Sequence, residues 1–116
     1  MKIAYLILAH KEPQQLARLA DRLSKTGDVY IHIDKNQNFN DFALVLKDMP
    51  RVYLESKRNR VSWAGWSIVK SYIQLLSVAY NDKKNYDRFV FLTGQDYPLM
   101  TNSEILLEFE NNVNIE

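Results

Sequence analysis

Asp34, His10, Asp96 and the Ser62–Trp63 pair are the residues whose types and places in this chain could do chemistry. Asp34 directly follows the apolar run Val29-Tyr30-Ile31-His32-Ile33. A carboxylate closing the second strand of a βαβ unit can accept hydrogen bonds from a ribose or a base N–H. The competing reading is an Asp that caps a helix or faces solvent. His10 ends the first apolar run and suits a polar role, whereas His32 alternates within a strand and reads as a satisfied buried histidine. In Gly94-Gln95-Asp96-Tyr97-Pro98, glycine permits an unusual backbone angle and proline biases Tyr97 toward an extended one. That shaping suits either a site or a structural turn in which Asp96 bonds neighbouring amides.

Trp63 and Trp66 flank Ala64-Gly65. Trp63 precedes the helical stripe and could pack on a sugar or base, while Gly65 lets backbone come close to a ligand. Trp66 falls within the stripe and reads as core. Lys57, Arg58 and Arg60 could attract phosphate but read as a solvated loop. Leu8-Ala9-His10-Lys11-Glu12-Pro13 has no glycine where a pyrophosphate would need close backbone approach, and there is no P-loop. No Asp-x-Asp pair occurs, so a two-carboxylate metal site is not expected.

The elements that must position these residues alternate. Ile3 to Ala9 is apolar throughout, as in a strand buried on both faces of a parallel sheet. Pro13 opens a helix whose apolar stripe is Leu16, Leu19, Ala20 and Leu23, and Gly27 is placed to cap it. Val29 to Ile33 is the second strand, and Asn36 to Asn40 a polar turn. A second helix carries Phe42, Val45, Leu46 and Met49, and stops at Pro50. Arg51 to Leu54 is a short strand. From Trp66 a helix follows whose stripe is Trp66, Val69, Ile73, Leu76 and Tyr80, with Lys70, Gln74 and Ser77 opposite. Arg88 to Leu92 is a further strand, and Thr101-Asn102-Ser103-Glu104 fits a capping box that opens a last helix through Phe109. The expected fold class is α/β, an open and mostly parallel sheet with helices on both faces. Ligands bind such sheets outside the carboxyl ends of the strands.

Composition narrows the function classes. Among 116 residues, 15 Lys+Arg stand against 14 Asp+Glu, a formal charge of +1 that argues against nucleic acid as a partner. Without cysteine there is no disulfide framework, thiolate zinc site or cysteine nucleophile. There is no run of apolar residues long enough to span a membrane, and the start of the chain does not read as a signal peptide. The expectation is a cytoplasmic domain. A phosphoacceptor receiver would need an acidic pair after the first strand, which His10-Lys11-Glu12 does not supply. A non-catalytic nucleotide-binding or interaction module is the alternative to an enzyme.

Four segments taken in order carry a resemblance: Leu6 to Lys11, Val29 to Lys35, Val61 to Ser67 and Leu92 to Leu99. Together they resemble the core-2/I-branching glycosyltransferases, which include β-1,6-N-acetylglucosaminyltransferases and peptide O-xylosyltransferases. The chain looks like a bacterial member. The resemblance implies a GT-A type, Rossmann-like fold and inverting transfer of a sugar, N-acetylglucosamine or xylose, from a UDP-sugar to a hydroxyl acceptor. That acceptor would be a glycan, a lipid-linked glycan or a protein. It implies no metal and no cofactor beyond the donor. Carried over by position, Leu8, Asp34, Val61, Ser62 and Trp63 would line the uridine pocket, with His10 and Asp96 shaping the donor site. Ala64 departs from the family's frequent glycine. The family's catalytic base and diphosphate-binding residues lie beyond its Asp-Tyr-Pro motif, and this chain stops at Glu116. Residues 1–116 are therefore expected to be the N-terminal, nucleotide-side part of a longer transferase. That part would be inactive alone, with no catalytic residue nominated, and open to self-association. Peripheral membrane association would belong to the longer protein.

Overall fold

Seven consecutive buried residues, Ile3–Ala9, form the central strand β1. A run apolar throughout is stable as a strand only where both sheet faces are covered. The computed structural model describes residues 2–61 and 66–93. Within them β1 is followed by α1 (Pro13–Ser24), β2 (Asp28–Ile33), α2 (Phe39–Leu46), β3 (Val52–Leu54), α3 (Trp66–Asn81) and β4 (Arg88–Thr93). The described strands are all parallel, in the order β3-β2-β1-β4. The register sets Leu8 between His32 on β2 and Thr93 on β4. This is the α/β, Rossmann-like arrangement that the sequence leads one to expect.

Alternation along β1 separates two cores. Ile3, Tyr5, Ile7 and Ala9 pack with α1 and α2, whereas Ala4, Leu6 and Leu8 pack with Leu75 and Ala79 of α3. The chain steps outward from β1 to β2 and β3 under α1 and α2, then returns across the other face through α3 to β4. The winding direction therefore reverses between β1 and β4. Connections on opposite faces of the sheet diverge at such a reversal, and sheets of this kind bind ligands there, outside the carboxyl ends of the strands.

Three helix boundaries differ from the sequence expectation, one of them the end of α2, which comes at Leu46 and leaves Met49 outside the helix. The turn assigned to residues 36–40 is shorter, because the Asn38 side chain accepts from the Asn40 N–H at 3.0 Å and starts α2 at Phe39. Gly27 does not cap α1. The cap is Lys25 in right-handed conformation, and no glycine among the described residues has a positive φ. Glycine is needed at position 27 for space. A Cβ there would lie 2.5 Å from the Ile3 carbonyl oxygen and 2.9 Å from Tyr5 Cε2.

The largest correction concerns α3. Of the expected core stripe, Trp66 is 70% exposed, Tyr80 74%, Ile73 50% and Val69 45%, and only Leu76 is partly buried. Ser71, Leu75 and Ala79 face the sheet instead. This helix is apolar on more than one side, so periodicity alone does not fix its phase. Small residues at 71 and 79 let its backbone come down close to β1 and β2. The larger residues turn outward, where Val69, Tyr72, Ile73, Leu76 and Phe91 line an apolar groove of about 380 Å³. Among the described residues no helix is long and apolar enough to cross a membrane.

The amino ends of the strands are closed by a polar network. Asp28 accepts from Tyr86 and from Arg51 Nε at 2.9 Å, with Lys84 Nζ at 3.7 Å. Burial alone would raise the Asp28 carboxyl, but those two hydrogen bonds and the Lys84 charge outweigh it and hold it below its ordinary range. Tyr30 donates to Asp82, and its hydroxyl oxygen lies 2.9 Å from that of Tyr86. A cavity of about 700 Å³ lined by Tyr80, Lys83, Asn85, Tyr86, Asp87 and Phe89 lies at this end. It is at the opposite end of the sheet from Asp34.

Candidate functional site

The turns at the carboxyl ends of β1 and β2 lie at the end of the sheet where such folds bind ligands. His10 stands half-buried immediately after β1. Asp34 stands immediately after β2 and is 3% exposed. Its backbone N–H donates to the Ala9 carbonyl at 2.8 Å, which carries the β1–β2 ladder one step past the strands and holds Asp34 beside His10. Leu8 is fully buried in the core under α3, one register step below this rim.

The Asp34 side chain is held on one oxygen only. Oδ1 accepts from the backbone N–H of Asn36 at 3.0 Å and of Val61 at 3.2 Å. Oδ2 accepts from none of the described residues, which leaves one lobe of a fixed carboxylate as an acceptor. The Asn36 bond is the local turn expected of an Asp at a strand end. The Val61 bond comes from 27 residues away and brings the 57–61 loop to β2.

That loop is not the solvated basic run its composition suggests. Lys57 and Arg60 are exposed, but Arg58 and Asn59 are partly buried. Arg58 donates to the carbonyls of Asp34 at 3.4 Å and Gln37 at 3.2 Å, and its guanidinium lies 4.9 Å from the centre of the Phe39 ring. It is therefore engaged with the Asp34 turn and with α2, and is not a free phosphate-attracting cation. Asn59 donates its N–H to His32 Nε2 at 2.8 Å and accepts from the Lys35 N–H at 3.0 Å. His32 is fully buried, as expected, but satisfied on one nitrogen only: its acceptor role at Nε2 assigns the ring proton to Nδ1, which has no hydrogen-bond partner among the described residues. Burial lowers its pKa, opposed by the Asp34 and Glu55 charges.

That shift gives a pH dependence with a definite sign. Above about pH 6.5 His32 is neutral in both folded and unfolded chains, and the Asn59 hydrogen bond contributes in full. As pH falls below that value the unfolded chain binds a proton that the folded one resists. Stability then declines by at most about 1.4 kcal/mol per pH unit for this group. A second decline begins below about pH 4, where the unfolded Asp28 carboxyl protonates ahead of the folded one. Urea unfolding between pH 8 and 3 should show both limbs, and His32→Gln should remove the first alone. An unchanged upper limb in that variant would assign it to other groups.

The structure thus brings Asp34, Val61 and His10 to one rim, with Leu8 beneath it. Ser62, Trp63 and Asp96 lie outside the described residues, as do Gly65, Gly94 and the helix expected from Thr101. Trp66, read as core, is instead exposed at the start of α3. Among the described residues no group of three or more His, Asp or Glu is placed to hold a metal ion. Sequence reasoning does not single out Asn59, nor the structural role of Arg58, since their partners come from β2, α3 and the turn after β2. The one local signal is an asparagine set within a run of cations.

Residues 3–115 match the family model described as Core-2/I-Branching enzyme. A human protein named probable beta-1,3-galactosyl-O-glycosyl-glycoprotein beta-1,6-N-acetylglucosaminyltransferase 7 is 29% identical over 108 residues, 90% of this chain and 25% of that protein. A second human beta-1,3-galactosyl-O-glycosyl-glycoprotein beta-1,6-N-acetylglucosaminyltransferase is 30% identical over 123 residues, covering 98% of this chain and 29% of its own length. A Danio rerio protein carrying that name with the number 4 is 28% identical over 111 residues, 91% of this chain and 26% of its own length. The chain spans between 25% and 29% of the length of these relatives.

Proposed function

Because the chain belongs to the Core-2/I-branching enzyme family, we propose that it supplies the uridine-binding side of a glycosyltransferase that moves a sugar from a UDP-sugar to a hydroxyl acceptor. The observation that carries the reading is the Asp34 carboxylate, held by two backbone N–H groups on Oδ1, with Oδ2 left as an acceptor at the switch point. Uracil presents one ring N–H to such an acceptor, and a ribose presents hydroxyls. The relatives' names support N-acetylglucosamine as the sugar, with xylose the other sugar that the family resemblance brings in. A glycan, lipid-linked or protein hydroxyl is the acceptor.

In the proposed inverting reaction the acceptor oxygen forms its bond to the anomeric carbon as the bond from that carbon to the UDP oxygen breaks. The acceptor proton goes to a general base, and the negative charge that develops on the leaving diphosphate must be met by cations. The described residues supply the nucleotide end of that arrangement. We assign the base and the diphosphate-binding cations to neither Asp34 nor Arg58, both of which are engaged in the turn after β2. The reading is metal-independent, on the support of a sequence without an Asp-x-Asp pair.

Saturation-transfer NMR of the chain with UDP, AMP and GMP, with and without EDTA, tests this. UDP should give the only strong signal and should keep it in EDTA. Equal signals from all three nucleotides, or loss of the UDP signal in EDTA, would overturn the reading.

A further inference from the structure

We propose that Asn59 is a positioning residue of the nucleotide site: it clamps the 57–61 loop across β2 and α3, and so holds the Val61 N–H on the Asp34 carboxylate. The inference deepens the uridine-site reading and rests on it. It is carried by the number and direction of the hydrogen bonds that meet at this one residue. The Asn59 N–H reaches inward to His32 Nε2 at 2.8 Å, and its carbonyl takes the Lys35 N–H at 3.0 Å. Both partners belong to the segment that carries Asp34, His32 before it and Lys35 directly after. The side-chain Nδ2 donates to Gln74 Oε1 at 2.8 Å and lies 3.5 Å from Ser71 Oγ, both on α3. Gln74 in turn donates its own amide to the Lys57 carbonyl, which closes the loop onto the helix.

Two residues beyond Asn59, the Val61 N–H meets Asp34 Oδ1. The orientation of the carboxylate therefore depends on a loop with three anchors, and Asn59 supplies contacts to two of them, β2 and α3. Arg58 is the third, through the Asp34 and Gln37 carbonyls. A loop residue with a merely solvated role would have no reason to place a backbone N–H against a fully buried imidazole. Burial keeps that imidazole neutral and able to accept. Loss of the Asn59 side chain leaves the Gln74–Lys57 hydrogen bond as the loop's tie to α3 and loosens it there, whereas loss of the His32 acceptor removes its hydrogen bond to β2. Either change lets Val61 move away and the carboxylate rotate.

Amide hydrogen exchange and UDP titration on the full 116-residue chain test the clamp through Asn59→Ala, His32→Phe and His32→Gln. Asn59→Ala, at a partly buried position outside the two cores, keeps the fold and makes the test independent of whether His32→Phe folds. In Asn59→Ala and His32→Phe, exchange at the Val61 N–H should rise by about tenfold or more while Ile7 and Ile31 in the central strands stay protected. The UDP dissociation constant should rise by about tenfold in the same variants. His32→Gln keeps an acceptor near the Nε2 position and should restore most of both. Unchanged Val61 exchange in Asn59→Ala would overturn the clamp. Raised exchange with unchanged UDP affinity would overturn the positioning role and leave Asn59 a structural tie. A wild-type chain that ignores UDP would overturn the uridine reading together with the positioning role. That failure is recognisable because the exchange measurement needs no ligand.

Discussion

Gly27→Ala should destabilise the domain by about 3 kcal/mol, at the upper end of what overpacking costs. The added Cβ would lie 2.5 Å from the Ile3 carbonyl oxygen, which is backbone of the central strand and cannot swing aside. It would also lie 2.9 Å from Tyr5 Cε2. Tyr5 is fully buried, and its hydroxyl is tied to Thr26 Oγ1 at 2.7 Å, so the ring cannot relax without losing that hydrogen bond. Relief would have to come from separating β1 and β2 at the Ala4–Asp28 pair, where their ladder begins. For a domain of this size the change should lower the thermal midpoint by roughly 10 °C. Gly27→Asn is the informative companion, because asparagine is tolerated at a left-handed helix cap but not in a close approach. Circular-dichroism melts should place Asn at or below Ala. An Asn variant near wild type would return Gly27 to the role of a left-handed cap.

That glycine also shows how far the fold is legible in the chain. Gly after a helical stripe is a good cap signal, and here it misleads because the real constraint comes from a strand more than twenty residues earlier. Local information reads correctly. The Ile3–Ala9 run has no polar face, so it must be an inner strand, and Pro13 with Leu16, Leu19, Ala20 and Leu23 fits only one amphipathic helix. The face of α3 is not legible. Trp66, Val69, Ile73 and Tyr80 outscore Ser71, Leu75 and Ala79 as an apolar stripe, yet the helix needs small residues where it crosses β1 and β2 closely. Hydrophobicity marks what can be buried, whereas the distance between helix and sheet decides what is.

The site divides in the same way. Asp34 is legible because a carboxylate after an apolar run marks the carboxyl end of a parallel strand, and that end is where such sheets bind ligands. Asn59 is not legible, since its hydrogen bonds run to positions 32, 35 and 74 and no spacing rule links these. Arg58 misleads for a related reason. A run of cations normally stays in water, but three oriented acceptors, two carbonyls and an aromatic face, draw this guanidinium into the turn.

Substitutions at Asp34 should separate the structural half of its carboxylate from the ligand half. Asp34→Ala removes the acceptor of two backbone N–H groups. Asn36 is exposed and can bond water instead, but Val61 is 6% exposed and its N–H would be left unsatisfied. The expected cost is about 2 kcal/mol, visible as a lower urea midpoint with an unchanged slope. Asp34→Asn should cost about 1 kcal/mol or less, because the amide oxygen can serve both donors. Those same donors fix which way the amide points, so its NH2 must stand where Oδ2 stood. A uracil ring N–H would then face another donor, and UDP affinity should fall by about two orders of magnitude. Cytosine carries an acceptor at that ring position, so CDP should lose little or gain. UDP and CDP titrated in parallel against the wild-type chain and against Asp34→Asn measure this exchange of preference. A ribose hydroxyl can donate or accept, so contact with the sugar instead predicts equal, small losses for both nucleotides. Equal losses would therefore move Asp34 from the base to the ribose, and no change in either would remove it from the nucleotide site.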